Sequence, residues 1–226
     1  MQDFLAGTGL AISLTVFVIG MAWRVVWYIR GLDWRLDRVA YRPYMKQGLK
    51  GAAQSALAWL VPLGTRSMRN APLFTILMFL FHIGVAIVPL FLAGHAVLLK
   101  SALGVSLPAM PQGFADFLTI LAVIALAFLI LRRLTLPEVR LLTTRSDWLV
   151  ITLAGLPLVS GCFAALHLPG YGFWLTLHML SGNILLIAAP FTKLSHIVLY
   201  FMSRGQLGMD FSIKRGGEYR GTAFPW

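Results

Sequence analysis

A single cysteine, Cys162, occurs in 226 residues. That excludes an intrachain disulfide, a CxxCH site for covalent haem and a self-contained iron-sulfur cluster, because each requires at least two thiols. Acids are nearly as scarce: 8 Asp and Glu stand against 19 Lys and Arg. Within the apolar segments, the carboxylates of Asp3, Asp116 and Asp147 fall only at segment ends, so the chain lacks the buried carboxylate pairs that an ion-coupled transporter uses. No basic, aromatic-interleaved soluble stretch is present, and the net charge of +11 is not the footprint of a nucleic-acid binder. No repeat, low-complexity tract or linker divides the sequence, and residues 1–226 read as one domain.

What the chain does have is apolar length. It is 58% hydrophobic and 12% charged, with several runs near 20 residues, the length that crosses a hydrocarbon core of roughly 30 Å. The expected fold is an all-α integral membrane protein with five transmembrane helices, at about Phe4 to Tyr28, Pro72 to Leu99, Gly113 to Leu131, Trp148 to His167 and Tyr171 to Tyr200. The first is too long and lacks the basic start of a secretory signal, so it is read as an uncleaved helix.

Basic residues fix the expected orientation. Eight Lys and Arg lie from Arg30 to Arg69 between spans one and two, four from Arg132 to Arg145 between spans three and four, and four from Arg204 to Arg220 in the tail, whereas Lys100 is alone on the other side. By the positive-inside rule the N-terminus faces the periplasm and the C-terminus the cytoplasm of a bacterial inner membrane. Trp23, Trp27, Trp148, Tyr171 and Trp174 cluster at span ends as an aromatic belt does. Gly48 to Gly64 is apolar but too short to cross, and is expected to be an interfacial helix. The tail, Ser203 to Trp226, is rich in Gly and Arg and is expected to be irregular.

Four histidines fall inside apolar spans: His82 and His95 on the second, His178 and His196 on the fifth. An imidazole in hydrocarbon persists only with a partner, because water cannot satisfy its nitrogens. The 18 residues from His178 to His196 make five turns and roughly 27 Å, which puts both rings on one face of a continuous helix. The two spans run in opposite directions, so His82 pairs in depth with His196 and His95 with His178. Two opposed pairs are the arrangement of two bis-histidine metal centres, each suited to a haem plane standing between helices. A single such histidine is more often a hydrogen-bond partner or proton relay; matched depths separated by apolar turns favour metal.

Several motifs then resemble a known family: Phe81-His82-Ile83-Gly84 and Gly94-His95; Leu131-Arg132-Arg133-Leu134 followed by Pro137, Val139-Arg140, Thr143-Thr144 and Asp147; and Leu177-His178 through Pro190-Phe191 to His196-Ile197. From about Phe81 onward the chain resembles the membrane cytochrome b (gamma) subunits of respiratory nitrate reductases and their relatives in sulfate-reducer redox complexes. The resemblance implies five helices holding two stacked b haems, with His82 and His196 on the inner iron and His95 and His178 on the outer one. It also implies quinol chemistry near the outer haem.

One interval departs from that family, whose first two ligands are ten residues apart. His82 and His95 are 13 residues apart, which turns a straight helix through about 220° beyond three full turns. Pro89 lies between them, and a kink or π-bulge there would restore the phase. His167, at the outer end of span four, is the substitute ligand if His95 fails.

Arg132, Arg133, Arg140 and Lys193 border the inner centre as candidate propionate partners, or as anchors to lipid phosphate. Lys100 is the outer candidate for a propionate or a quinone carbonyl, with Asp116 or His167 as proton acceptors. The expected function is electron transfer across the membrane between menaquinone and partner subunits. Those partners are other membrane subunits, a cytoplasmic iron-sulfur subunit and a periplasmic multihaem cytochrome c. No substrate site of its own is expected. The alternatives are a membrane anchor with one haem or none, and a proton-conducting subunit.

Overall fold

The computed structural model describes residues 1–32 and 41–214. Arg35 and Arg38 of the basic loop, and residues 215–226 of the tail with Arg215 and Arg220, lie outside the described residues. The described chain is helical, with no strand among the described residues. In order it forms α1 (Gln2–Ala6), α2 (Thr8–Arg30), α3 (Met45–Leu60), α4 (Arg66–Asn70), α5 (Pro72–His82), a π-helical turn (Ile83–Ile87), α6 (Val88–Phe91) and α7 (Ala93–Leu103). There follow α8 (Gln112–Thr135), α9 (Pro137–Leu142), α10 (Arg145–Ala165), α11 (Tyr171–Ala188), two 3-10 turns (Ala189–Phe191 and Lys193–Ser195) and α12 (His196–Lys214).

Five helical stretches are long and apolar enough to cross a membrane: Gln2–Arg30, Pro72–Phe91, Gln112–Thr135, Arg145–Ala165 and Tyr171–Phe191. The protein is a multi-pass membrane protein by that measure. Local chemistry sets the ends. Prolines open α5 and α9, where the missing N–H costs nothing. Thr144 and Asp147 form a capping box at the start of α10: the Thr144 backbone N–H and hydroxyl donate to Asp147 Oδ2 at 2.8 and 2.7 Å. Lys193 Nζ donates to the other carboxylate oxygen at 2.8 Å, tying the turn after α11 to the start of α10.

Three sequence expectations do not hold in the fold. The second apolar stretch is not one helix from Pro72 to Leu99: it ends at Phe91, and His95 lies on α7, which starts anew at Ala93. The fifth apolar stretch is not one helix from Tyr171 to Tyr200. It breaks at Ala189–Phe191, where Pro190 withholds an N–H, and Thr192 is extended. The 18-residue register argument for His178 and His196 on one helix face therefore fails. The tail is also not irregular from Ser203, because α12 continues to Lys214.

The chain divides into two compact units, Met1–Ile19 with Ile76–Leu194 and Gly20–Thr75 with Ser195–Trp226. The boundaries fall inside α2, inside α5 and in the turn before α12, so no linker marks them in the sequence. In the first unit, small residues set the packing. Gly84 on the π turn sits directly on Ala122 of α8, and a Cβ on Gly155 of α10 would lie 2.9 Å from Leu126. Ala122, Leu126 and Leu158 form the buried cluster, flanked by Phe81, Val85 and Val159. Close approach of this kind is how apolar helices associate in lipid, where burial supplies little drive. The buried Asn183 amide donates to the Leu5 carbonyl at 3.0 Å, holding α1 to α11.

The second unit is built on α3 and α12. Gly51 packs against Gly208 and Ser212, Gly48 against Met209 and Ile213, and Arg204 lies 4.2 Å above the Trp59 ring. The pairs run in opposite order along the two helices, so α3 and α12 are antiparallel. The expected interfacial helix at 48–64 is thus a helix over Met45–Leu60, its glycine face covered by α12.

Candidate functional site

The π turn and the residue Leu92 decide where His95 points. A π turn carries an extra residue per turn and shifts the phase of the helix beyond it. At Leu92 the backbone is extended (φ −69°, ψ 132°), and α7 starts anew at Ala93. The divergence expected of His82 and His95 on a straight helix is therefore redrawn by two irregularities close to Pro89. The same break takes the residue four beyond Pro89 out of helical position. His95 Nδ1 instead donates to the Pro89 carbonyl, at 3.0 Å.

His178, on α11, is fixed the same way from a different helix. Its Nδ1 donates to the carbonyl of Pro157 on α10, at 2.8 Å. Gly161, one turn further along α10, makes room for that reach, since a Cβ there would stand 2.7 Å from His178 Nδ1 and 2.8 Å from Cε1. The neighbour of Gly161 is thus the imidazole.

The two rings face each other edge to edge. Their planes lie at 1° to one another, with centroids 5.6 Å apart and Nε2 to Nε2 at 3.4 Å. A carbonyl only accepts, so each Nδ1 carries a hydrogen, and a neutral imidazole carries only one. Both Nε2 atoms then present bare lone pairs to each other in a half-buried setting, an arrangement that repels unless a proton or a metal stands between them.

The donor set suits one kind of metal centre. Among the described residues no group of three or more His, Cys, Asp or Glu gathers to hold an ion, and two imidazoles are too few for a bare metal, which takes about four ligands. They match an iron that brings its own planar equatorial set. Two metal–imidazole bonds of roughly 2.0–2.1 Å span about 4 Å, so the residues fit if the rings part by well under an ångström. Each ring already has the outer hydrogen bond that axial histidines need.

The other candidates stand elsewhere. His82 is exposed at the end of α5, its Nδ1 2.7 Å from the Met78 carbonyl; it belongs to the first unit, whereas His196 opens α12 in the second. His167 is not brought to His178. It sits on the exposed turn after α10 with φ 51°, its Nδ1 3.0 Å from the Ala165 carbonyl and its ring stacked on Tyr171 at 5.2 Å.

Arg133 Nη1 donates to Thr143 Oγ1 at 3.1 Å, Arg132 lies half-buried beside it on α8, and Arg140 is exposed on α9. Lys100 is exposed in the last turn of α7, the helix that carries His95. Asp116 accepts from Gln112 Nε2 at 2.8 Å and lines a hollow of about 10 Å³ with Thr119, Cys162 and Leu166. That is room for about one water, far below the roughly 300–1,000 Å³ of small-molecule sites.

The groups that sequence reasoning missed are the two proline carbonyls and Gly161. The only signal for them was a proline inside each apolar helix that feeds the site.

A relative from Nitratidesulfovibrio vulgaris strain Hildenborough, described simply as "Protein", is 60% identical over 226 residues, the whole of both chains. No protein-family model and no solved structure matches the chain.

Proposed function

We propose that this chain, which belongs to one family with the Nitratidesulfovibrio vulgaris protein, is a dihaem cytochrome b subunit of a quinone-linked redox complex in the bacterial inner membrane. The observation that carries the reading is the His95–His178 pair: parallel rings, Nδ1 atoms committed to carbonyls, and Nε2 atoms opposed at 3.4 Å. Such a pair could take an iron between its Nε2 atoms with little rearrangement. A second centre on His82 and His196 rests on the sequence resemblance alone. In size and layout the chain is similar to the smaller cytochrome-b-like subunit of the high-molecular-weight cytochrome c transmembrane complex of sulfate reducers. On that likeness the partners are other membrane subunits, a cytoplasmic iron-sulfur subunit and a periplasmic multihaem cytochrome c, with menaquinone as the mobile carrier.

Haem bound at this pair supplies one-electron chemistry at iron. The chain's own contribution is positional. His95 and His178 would hold the haem iron, the Pro89 and Pro157 carbonyls would fix the rings and raise their basicity, and the apolar helices around them would exclude water. Arg132, Arg133 and Lys100 are the cations assigned to propionates or a quinone carbonyl.

The test is a reduced-minus-oxidised spectrum of the purified chain with a pyridine haemochrome assay. About two b haems per chain are expected, and one is expected if only the His95–His178 pair ligates. A specific observation favours a rival. The 3.4 Å nitrogen separation is tighter than an iron pair and only a little longer than a hydrogen bond, as between imidazoles that pass a proton in a proton-conducting subunit. A chain that shows no haem absorption, and whose histidines titrate, belongs to that rival.

A further inference from the structure

The helix α3 presents a surface that the redox reading leaves unused. Its glycine face is closed by α12, through Gly51 on Gly208 and Ser212. An edge about a third of a turn round carries a row of apolar side chains in the open: Met45 at 41%, Leu49 at 58% and Leu60 at 48% of full exposure, with Leu57 at 59% beyond them, between Lys46 and Lys50 on the helical wheel. On a helical wheel this row is flanked on one side by exposed Lys46 and Lys50, four residues apart. On the other side lies Trp59, with the Arg204 guanidinium 4.2 Å above its ring.

At 16 residues the helix is about 24 Å long, too short to cross a bilayer. An apolar edge bordered by cations on both flanks, with an amphipathic Trp, is the pattern of a helix lying in the plane of a membrane surface. The charge of the unit selects the lipid. Its described residues include nine Lys and Arg and one acid, Asp210, which accepts a hydrogen bond from Tyr41; the stretch from Tyr41 to Thr75 holds no acid at all.

We infer that α3 is an in-plane helix that gathers anionic phospholipid headgroups, with phosphate held between Lys46 and Lys50 on one flank and Arg204 on the other, while Met45, Leu49 and Leu60 enter the acyl layer. An acidic protein would meet the same cations, but would leave that leucine row facing water or need an apolar strip of its own. This inference rests on the membrane character of the chain and not on the haem proposal, so the two fail separately.

The experiment uses the full chain in mixed micelles of phosphatidylcholine and phosphatidylglycerol, with retained lipid counted by native mass spectrometry and haem content followed in parallel. Wild type is expected to retain phosphatidylglycerol in preference. The variant K46Q/K50Q is expected to lower that retention by about 25-fold, at about fivefold per cation at an anionic surface, and K46R/K50R to restore it. Unchanged helicity by circular dichroism excludes unfolding as the cause. Equal retention of both lipids by wild type overturns the inference, as does a Gln variant that retains phosphatidylglycerol as wild type does. Wild type that shows no lipid preference but binds polyglutamate assigns the surface to an acidic protein, and also overturns it.

Discussion

Gly161 of α10 leaves open the space through which His178 of α11 reaches the Pro157 carbonyl: a Cβ at 161 would stand 2.7 Å from His178 Nδ1. Imidazole orientation is thus set by a missing side chain on another helix. In Gly161→Ala either the ring rotates off the carbonyl or α10 and α11 separate. The expected outcome is loss or weakening of the b haem proposed at His178, with the spans still formed. It is measured as a fall of about one haem per chain, or as a changed Soret band at unaltered helicity. Gly155→Ala serves as the comparison. Its Cβ would meet the flexible end of Leu126 at 2.9 Å, costing roughly 1–3 kcal/mol of packing with no loss of haem.

His95 and His167 are competing sequence candidates for the partner of His178. The structure brings His95 within 3.4 Å of His178 and leaves His167 stacked on Tyr171 at an exposed turn. His95→Ala is therefore expected to remove one haem, and His167→Ala none, by pyridine haemochrome on the purified variants. Loss of haem from His167→Ala with retention in His95→Ala would reverse the assignment.

The legible part of this fold was its apolar length. Five spans read correctly in number and in where each begins, because hydropathy over about 20 residues is a bulk property; the second and fifth end at Phe91 and Phe191, eight and nine residues short of the ends expected at Leu99 and Tyr200. Breaks were less legible. Pro89 marked the irregularity near His95, yet the change of direction falls three residues later, at Leu92, where no residue type advertises it. In the sequence Pro190 stands only as part of a motif, and the helix break that it causes separates His178 from His196. The tail departs from its expectation for a different reason. Gly205, Gly208 and Ser212 look like loop formers, but in α12 Gly208 and Ser212 are the seam against α3. Small residues at helical spacing signal close packing as readily as disorder. The site was legible as histidines, and not as the carbonyls and the glycine that aim them, because backbone groups leave no mark in a sequence.

The start of α10 offers a graded test. Asp147 caps its own helix through Thr144 and also accepts from Lys193, whose side chain is 56% exposed. Removing the lysine loses a surface pair, worth about 0–1 kcal/mol. Removing the aspartate also loses the cap, worth roughly 0.5–2 kcal/mol. Thermal unfolding in detergent is expected to rank wild type above Lys193→Ala and Lys193→Ala above Asp147→Ala. The last should fall by a few degrees, at about 2–4 °C per kcal/mol for a chain of this size. Equal falls for the two variants would mean that the capping box contributes nothing.

The α3–α12 seam makes the strongest stability prediction. Gly51 and Gly208 touch backbone to backbone, and the Ser212 hydroxyl donates to the Gln47 carbonyl at 2.9 Å across the same seam. A side chain at either glycine cannot be absorbed by a rotamer change, since what it meets is main chain. Gly51→Leu and Gly208→Leu are each expected to force the helices apart at a cost of several kcal/mol, above the roughly 1–3 kcal/mol of ordinary overpacking. Ser212→Ala, which loses one hydrogen bond, should cost only about 1 kcal/mol. Separation of the helices also uncovers Trp59 from beneath Arg204, so the leucine variants should show faster proteolysis between Met45 and Leu60. The His95–His178 centre lies wholly in the other compact unit, and its haem signal should survive the same substitutions. Leucine variants as resistant to protease as wild type would mean that the seam does not hold the two helices together.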